Sequence, residues 1–215
     1  MKKLGIGCAV LGGILMLAIW MGSCFVMSKA KHYMSGYAQL AEIPAMNKNI
    51  LNQSAYAPPA DGRMDAQQVE RYMAVQRDMH ARLGERFKQL NDKYNQITRD
   101  LEQKGRQANM GESLGALNDL LAVLIDAKRT QVEALNQAGF SLGEYQWIRQ
   151  QTLIALGHGA IGFNLEAMAG DPSKMGTVLA IPTDLDPQML EQNRALLTPY
   201  EDSMDQWLTL SFFGL

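Results

Sequence analysis

The sequence predicts an all-α protein: one N-terminal transmembrane helix, then an antiparallel bundle of four to five helices containing a long, coiled-coil-like helical hairpin. Three stretches carry that prediction. Leu4–Met27 has neither charge nor proline, apolar side chains recur at helical spacing from Asp65 to Lys104, and Phe140-Ser141-Leu142-Gly143-Glu144-Tyr145 spells a helix start. They divide the chain into an anchor over 1–32, a partly helical linker over 33–64 and a helical bundle domain over 65–215.

As a helix, the first stretch would extend about 36 Å, enough to cross a hydrocarbon layer of ~30 Å with some tilt. Lys2 and Lys3 precede it, and Lys29 and Lys31 follow. A cleaved signal peptide would have a shorter apolar core, whereas this one runs through Phe25-Val26-Met27, past the small-residue region at Gly22-Ser23. Met21-Gly22-Ser23-Cys24 resembles a bacterial lipobox, which implies acylation at Cys24, although Met21 stands where such motifs usually carry leucine. The uncleaved signal anchor is the reading adopted, with the lipoprotein as an alternative. Flanking charge is nearly balanced and favours the amino terminus inside only slightly. On that basis the chain is a single-pass protein of the bacterial inner membrane with a periplasmic C-terminal domain. Gly5, Ala9 and Gly13 share one helix face, so two such helices could approach closely in lipid and pair as a homodimer.

All 22 acidic residues follow position 32, and four of the 20 Lys and Arg residues flank the anchor. Sixteen basic against 22 acidic residues leave the remainder at −6, which argues against nucleic acid as a partner, since phosphate binding wants a clustered basic face. Both cysteines, Cys8 and Cys24, fall in the apolar segment, so the domain carries no disulfide framework, no CxxC metal knuckle and no thiol nucleophile.

Within the linker the pattern is loosely helical, with an interruption expected at Pro44, because the residue before proline avoids helical angles. Residues 54–64, with Pro58-Pro59 and Asp61-Gly62, read as a loop. Asp65 is a helix cap, and Val69, Tyr72, Gln76, Met79, Leu83, Phe87, Leu90, Tyr94, Ile97 and Leu101 follow at spacings of three or four. Gln76 is the polar intruder in that seam. A turn over 105–111 returns the chain into a second helix, expected from Glu112 to Gln137 and stopped by Gly139. Ser141 and Glu144 have capping-box spacing, and Phe140 with Tyr145 has that of a hydrophobic staple. The third helix is expected to continue to Ala169 and, being apolar nearly all round from Thr152 to Met168, to be the central helix of the bundle. Asp186-Pro187 and Thr198-Pro199 open two further helices.

No stretch carries recognisable reaction chemistry. Gly157-His158-Gly159-Ala160-Ile161-Gly162 matches a GxGxxG string, but that motif needs a preceding strand, and here the preceding residues read as helix. HExxH, Glu-x-x-His and the phosphate-binding GxxxxGK[ST] are absent. The ten methionines after the anchor form no tight cluster and read as core filler. No cofactor or metal is expected.

The function expected is that of a non-enzymatic, membrane-anchored interaction or scaffold protein of the bacterial cell envelope. Phe87, Leu90 and Tyr94 are the candidate partner surface, because the first helix of the hairpin outruns its mate; the same helix offers a second route to a homodimer. The alternative is a periplasmic sensory or small-ligand-binding bundle with a pocket at Trp147, His158 and Glu166. The last two, eight residues apart, would lie about 12 Å apart along one helix, too far for direct contact.

Overall fold

The computed structural model describes residues 42–157, 185–204 and 214–215. The elements are α1 (Ile43–Asn47), α2 (Ala66–Gln103), α3 (Met110–Ala138), α4 (Leu142–Ala155) and α5 (Pro187–Leu197), then a 3-10 turn (Thr198–Tyr200) that leads into helical residues 201–204. Among the described residues the one β-type pairing is an isolated parallel bridge between Asn52 and Ser141. The described part is therefore all-helical. The chain divides into two compact units, one holding Leu83–Asp126 and the other Ala41–Arg82 with Ala127–Leu215.

The first unit is the end of the hairpin. Arg86 pairs with Asp126 and Lys93 with Asp119, so numbers fall along α3 as they rise along α2 and the helices are antiparallel. Leu83, Leu90 and Tyr94 from α2 and Ala116, Leu120, Leu121, Leu124 and Ile125 from α3 are buried. Phe87 and Ile97 of the predicted seam are half-buried. The exposed ion pairs along the flanks contribute at most about 1 kcal/mol each, so apolar burial holds the two helices together. Burial pushes the Tyr94 phenol above its usual range, and its hydrogen bond to Asp119 (2.6 Å) adds to the shift.

The turn joining α2 to α3 is built from caps at both ends. Gly105 takes φ 58°, and the Arg106 N–H reaches back to the Leu101 carbonyl at 3.1 Å, which satisfies the end of α2. Asn109 then accepts from the Glu112 N–H at 2.9 Å, while the Glu112 carboxylate accepts from the Asn109 N–H at 2.9 Å. This is a reciprocal capping box with asparagine in the usual serine place, and it starts α3 at Met110, two residues before the sequence-based start. Arg106 grips the same carboxylate through both terminal nitrogens, at 2.9 and 2.7 Å.

Those Arg106 bonds, followed by the Asn109 N–H, hold the Glu112 carboxyl at about 2, below its ordinary 4.5. The folded value lies below the unfolded one, so the group's stabilising contribution is complete above pH ~4.5 and is lost as pH falls toward 2. Carboxyl-carbon NMR should therefore give a Glu112 midpoint near 2 that moves up toward 4.5 in Arg106→Gln. A midpoint near 4.5 in the unsubstituted chain would contradict the turn geometry.

In the second unit α3 is the enclosed helix. Ala127, Lys128, Thr130, Gln131, Val132, Ala134 and Leu135 are all buried, and between 127 and 135 only Arg129 and Glu133 are exposed. The expectation that the third helix runs to Ala169 is corrected here; of its apolar stretch, Thr152, Leu153, Ile154 and Ala155 are buried and 158–168 lie outside the described residues. α4 ends at Ala155, where the Leu156 N–H bonds the Thr152 carbonyl (3.1 Å), the Gly157 N–H bonds the Ile154 carbonyl (2.9 Å) and Gly157 adopts φ 71°. Glycine takes that left-handed angle without the Cβ clash other residues suffer, so the first glycine of the GxGxxG string ends the helix.

The start of α2 lies beyond the end of α3 and packs on α4 instead. Its buried residues there include Val69, Tyr72, Met73 and Val75. Asp65 caps it as expected, accepting from the Gln67 N–H at 2.8 Å.

The described part of the predicted linker belongs to the body. Ile43, Met46, Ile50 and Met64 are buried, and Pro44 sits in the first turn of α1, which needs no N–H from it. Asn136 of α3 reads the adjoining backbone twice, donating to the Asn49 carbonyl (3.0 Å) and accepting from the Leu51 N–H (2.7 Å). Asn193 of α5 does the same farther on, accepting from the Met64 N–H (2.9 Å) and donating to the Gly62 carbonyl (3.1 Å). α5 itself starts at the expected Asp186 cap, whose carboxylate accepts from the Gln188 N–H at 2.9 Å.

The anchor Leu4–Met27, with Gly5, Ala9, Gly13 and Cys24, lies outside the described residues. Among the described residues no helix is long and apolar enough to cross a membrane.

Candidate functional site

The densest arrangement of polar and aromatic side chains surrounds the start of α4. Ser141 caps that helix by accepting from the Glu144 N–H at 3.2 Å. The Glu144 carboxylate is taken up elsewhere: Arg71 pairs with it, and Gln68 Nε2 donates to it at 2.9 Å. The capping role expected for the Glu144 side chain thus gives way to an ion pair with α2, while the Ser141 half of the motif stands. Arg71 also donates to the Ala138 carbonyl (3.3 Å) and lays its guanidinium 4.1 Å above the Phe140 ring. The expected staple is in place, with the Phe140 and Tyr145 rings edge to face at 6.0 Å and both side chains 0% exposed.

Two groups extend from this centre. Outward, Gln68 Nε2 donates to the Tyr56 hydroxyl at 3.1 Å, and the Tyr56 ring lies 5.6 Å from Trp147. Inward, the Tyr145 hydroxyl accepts from Gln76 Nε2 at 2.6 Å and is hydrogen-bonded to Gln131. Gln131 in turn accepts from Lys128 Nζ at 2.8 Å and donates to the Gly214 carbonyl at 3.1 Å. The polar intruder in the α2 seam therefore has a buried acceptor, which is what allows Gln76 to sit at 1% exposure. Burial, and then the neighbouring Tyr72, push the Tyr145 phenol far above its usual range, so it stays neutral at any physiological pH. These bonds tie α2, α3 and α4 to one another and to the Gly214 backbone.

Leu90 and Tyr94 are buried within the hairpin seam, and Phe87 alone of the three candidate partner residues keeps partial exposure. The extra length of α2 falls at its other end and is covered by α4, so these three residues do not lie on an overhang. Trp147 is buried against Tyr56, while His158 and Glu166 lie outside the described residues. α4, which carries Trp147, ends at Ala155, before the positions of the other two. Sequence reasoning missed Lys128, Gln131 and Arg149, which are buried polar residues in stretches that look like solvated faces. It also missed Tyr56, Gln68 and Arg71, whose relation to α4 spans more than seventy residues of chain. Among the described residues no three His, Cys, Asp or Glu side chains are grouped so as to hold a metal ion.

The chain matches no protein-family model, no curated protein and no solved structure.

Proposed function

We propose that this chain is a single-pass protein of the bacterial inner membrane whose helical body stands in the periplasm and works by binding another protein. The observation that carries this reading is the uncharged, proline-free run Leu4–Met27, followed by a long two-helix arm. A span of that length is at home in a bilayer, and every helix described after it is amphipathic or enclosed, as in a body that faces water. Leu90 and Tyr94 are used within the hairpin, so the partner-facing surface narrows to half-buried side chains along it, Phe87 and Ile97 on α2 and Leu114 and Leu117 on α3. Pairing of two anchors through Gly5, Ala9 and Gly13 would present two such arms together.

The lipoprotein remains the second reading, carried by Met21-Gly22-Ser23-Cys24; it places the same body on the same side through an acyl chain at Cys24. The experiment that tests the shared claim asks which side of the membrane the hairpin turn occupies, using a cysteine placed at the exposed Gln107.

A further inference from the structure

α3 is buried over more of its surface than α2 can cover. At about 100° per residue, Asp119 and Asp126 lie about 100° and 120° to one side of Leu120, and they pair with Lys93 and Arg86 of α2. Leu121 and Ile125 lie about 100° and 140° to the other side, turned away from α2. They are nevertheless only 1% and 2% exposed, and Leu124 is as enclosed as they are. Among the described residues the first unit holds only α2, α3 and their turn, so no described helix of that unit covers this second face. A helix enclosed on two sides needs a second neighbour.

The chain before α1 is placed to supply it. Glu42 pairs with Arg129 of α3 (3.7 Å), the Asn49 carbonyl accepts from Asn136 (3.0 Å), and Asn52 donates to the Gly139 carbonyl (2.9 Å). All three contacts span the same 87 positions, so this stretch runs parallel to α3 and its terminal glycine at a fixed register. Carried back from Glu42, that register sets residues 33–41 level with 120–128. Residues 33–41 offer Tyr33, Met34, Tyr37 and Leu40 and no charge, while Lys29 and Lys31 stand just before them. On α3, Leu120, Leu121, Leu124, Ile125, Ala127 and Lys128 are buried, whereas Leu114 and Leu117, level with residues before Tyr33, are only half-buried. Charge on the one segment ends where enclosure of the other begins.

We propose that residues 33–41 dock along this second face of α3, over Leu121, Leu124 and Ile125, and are the third member of the hairpin. If Leu4–Met27 stays in a bilayer, as proposed above, residues 28–32 are then the whole tether. Fully extended they reach at most about 18 Å, so the hairpin is held at the membrane surface instead of ranging away from it. That consequence rests on the anchor; the docking itself does not.

The test uses the full chain in detergent, with Tyr37→p-benzoylphenylalanine as a photoreactive ring of similar shape. Irradiation should join position 37 to the 120–128 stretch of α3 in the same molecule, read by peptide mass spectrometry. In the unsubstituted chain the amides of 33–41 should exchange at least tenfold more slowly than those of a free chain. Tyr37→Asp should remove that protection and speed exchange at Leu121 and Ile125 about tenfold, with α4 unchanged as the sign that the second unit still folds. A photoproduct on any other stretch of the chain, a product of twice the chain mass joining two copies, or free-chain exchange across 33–41 overturns the proposal. Those results leave the membrane reading standing, and recovery of the chain from the aqueous fraction would leave the docking standing.

Discussion

Phe140→Ala should lower the unfolding free energy by about 3–5 kcal/mol, the range for truncating a large aromatic in a packed core. Phe140 is 0% exposed, meets the Tyr145 ring edge to face and carries the Arg71 guanidinium 4.1 Å above its own ring. Removing it leaves a cavity where α2, the α3–α4 turn and the start of α4 converge, and it takes away the surface on which the Arg71–Glu144 pair is laid. Native domains are stable by only about 5–15 kcal/mol, so one such change removes a large fraction of the total. Urea unfolding followed by far-ultraviolet circular dichroism reads the effect as a lower midpoint with an unchanged slope. A loss below about 1 kcal/mol would mean that this cluster is not a centre of the core.

The second large effect is expected at Asn193, which carries no apolar bulk. Its side chain is 1% exposed and bonds the Met64 N–H at 2.9 Å, the Gly62 carbonyl at 3.1 Å and the Met189 sulfur at 3.1 Å. In Asn193→Ala the Met64 N–H stays buried and loses its acceptor, and an orphaned buried group costs about 1–3 kcal/mol. With the Gly62 carbonyl also released, the loss should reach about 2–4 kcal/mol. Amide hydrogen exchange locates it: protection at Met64 should fall first, and protection along α3 should follow only as global stability drops. Unchanged exchange at Met64 would show that the asparagine is not what pins this loop.

The parts of this fold that could be read from the sequence are those governed by neighbours in the chain. The seam of α2, the caps at Asp65, Ser141 and Asp186 and the staple of Phe140 with Tyr145 each depend on spacings of two to five residues, and each is where it was expected. What failed depended on distant partners. Lys128 and Gln131 are polar residues that the sequence does not mark as enclosed, yet both are buried, bonded to each other, and Gln131 also meets Tyr145. Glu144 reads as a cap until Arg71, on another helix, takes its carboxylate. Gly157 looks like one glycine among three in an apolar helix, and only its left-handed angle shows that the helix stops there. The candidate site follows the same division: Trp147 was visible as a buried aromatic, whereas Tyr56, which packs on it, and Gln68, which bonds Tyr56, were not.

The claim on which the functional account rests is that a helical body is held at the periplasmic face of a bacterial membrane. It is tested most directly by labelling Gln107→Cys, in the exposed turn between α2 and α3, with a maleimide that cannot cross a membrane. The unsubstituted chain, whose Cys8 and Cys24 both lie in the apolar segment, supplies the background. In cells with an opened outer membrane and an intact inner one, the account predicts strong labelling of a chain that stays in the membrane pellet through an alkaline wash. Labelling that appears only after the inner membrane is broken, or a chain recovered from the aqueous fraction, would contradict it.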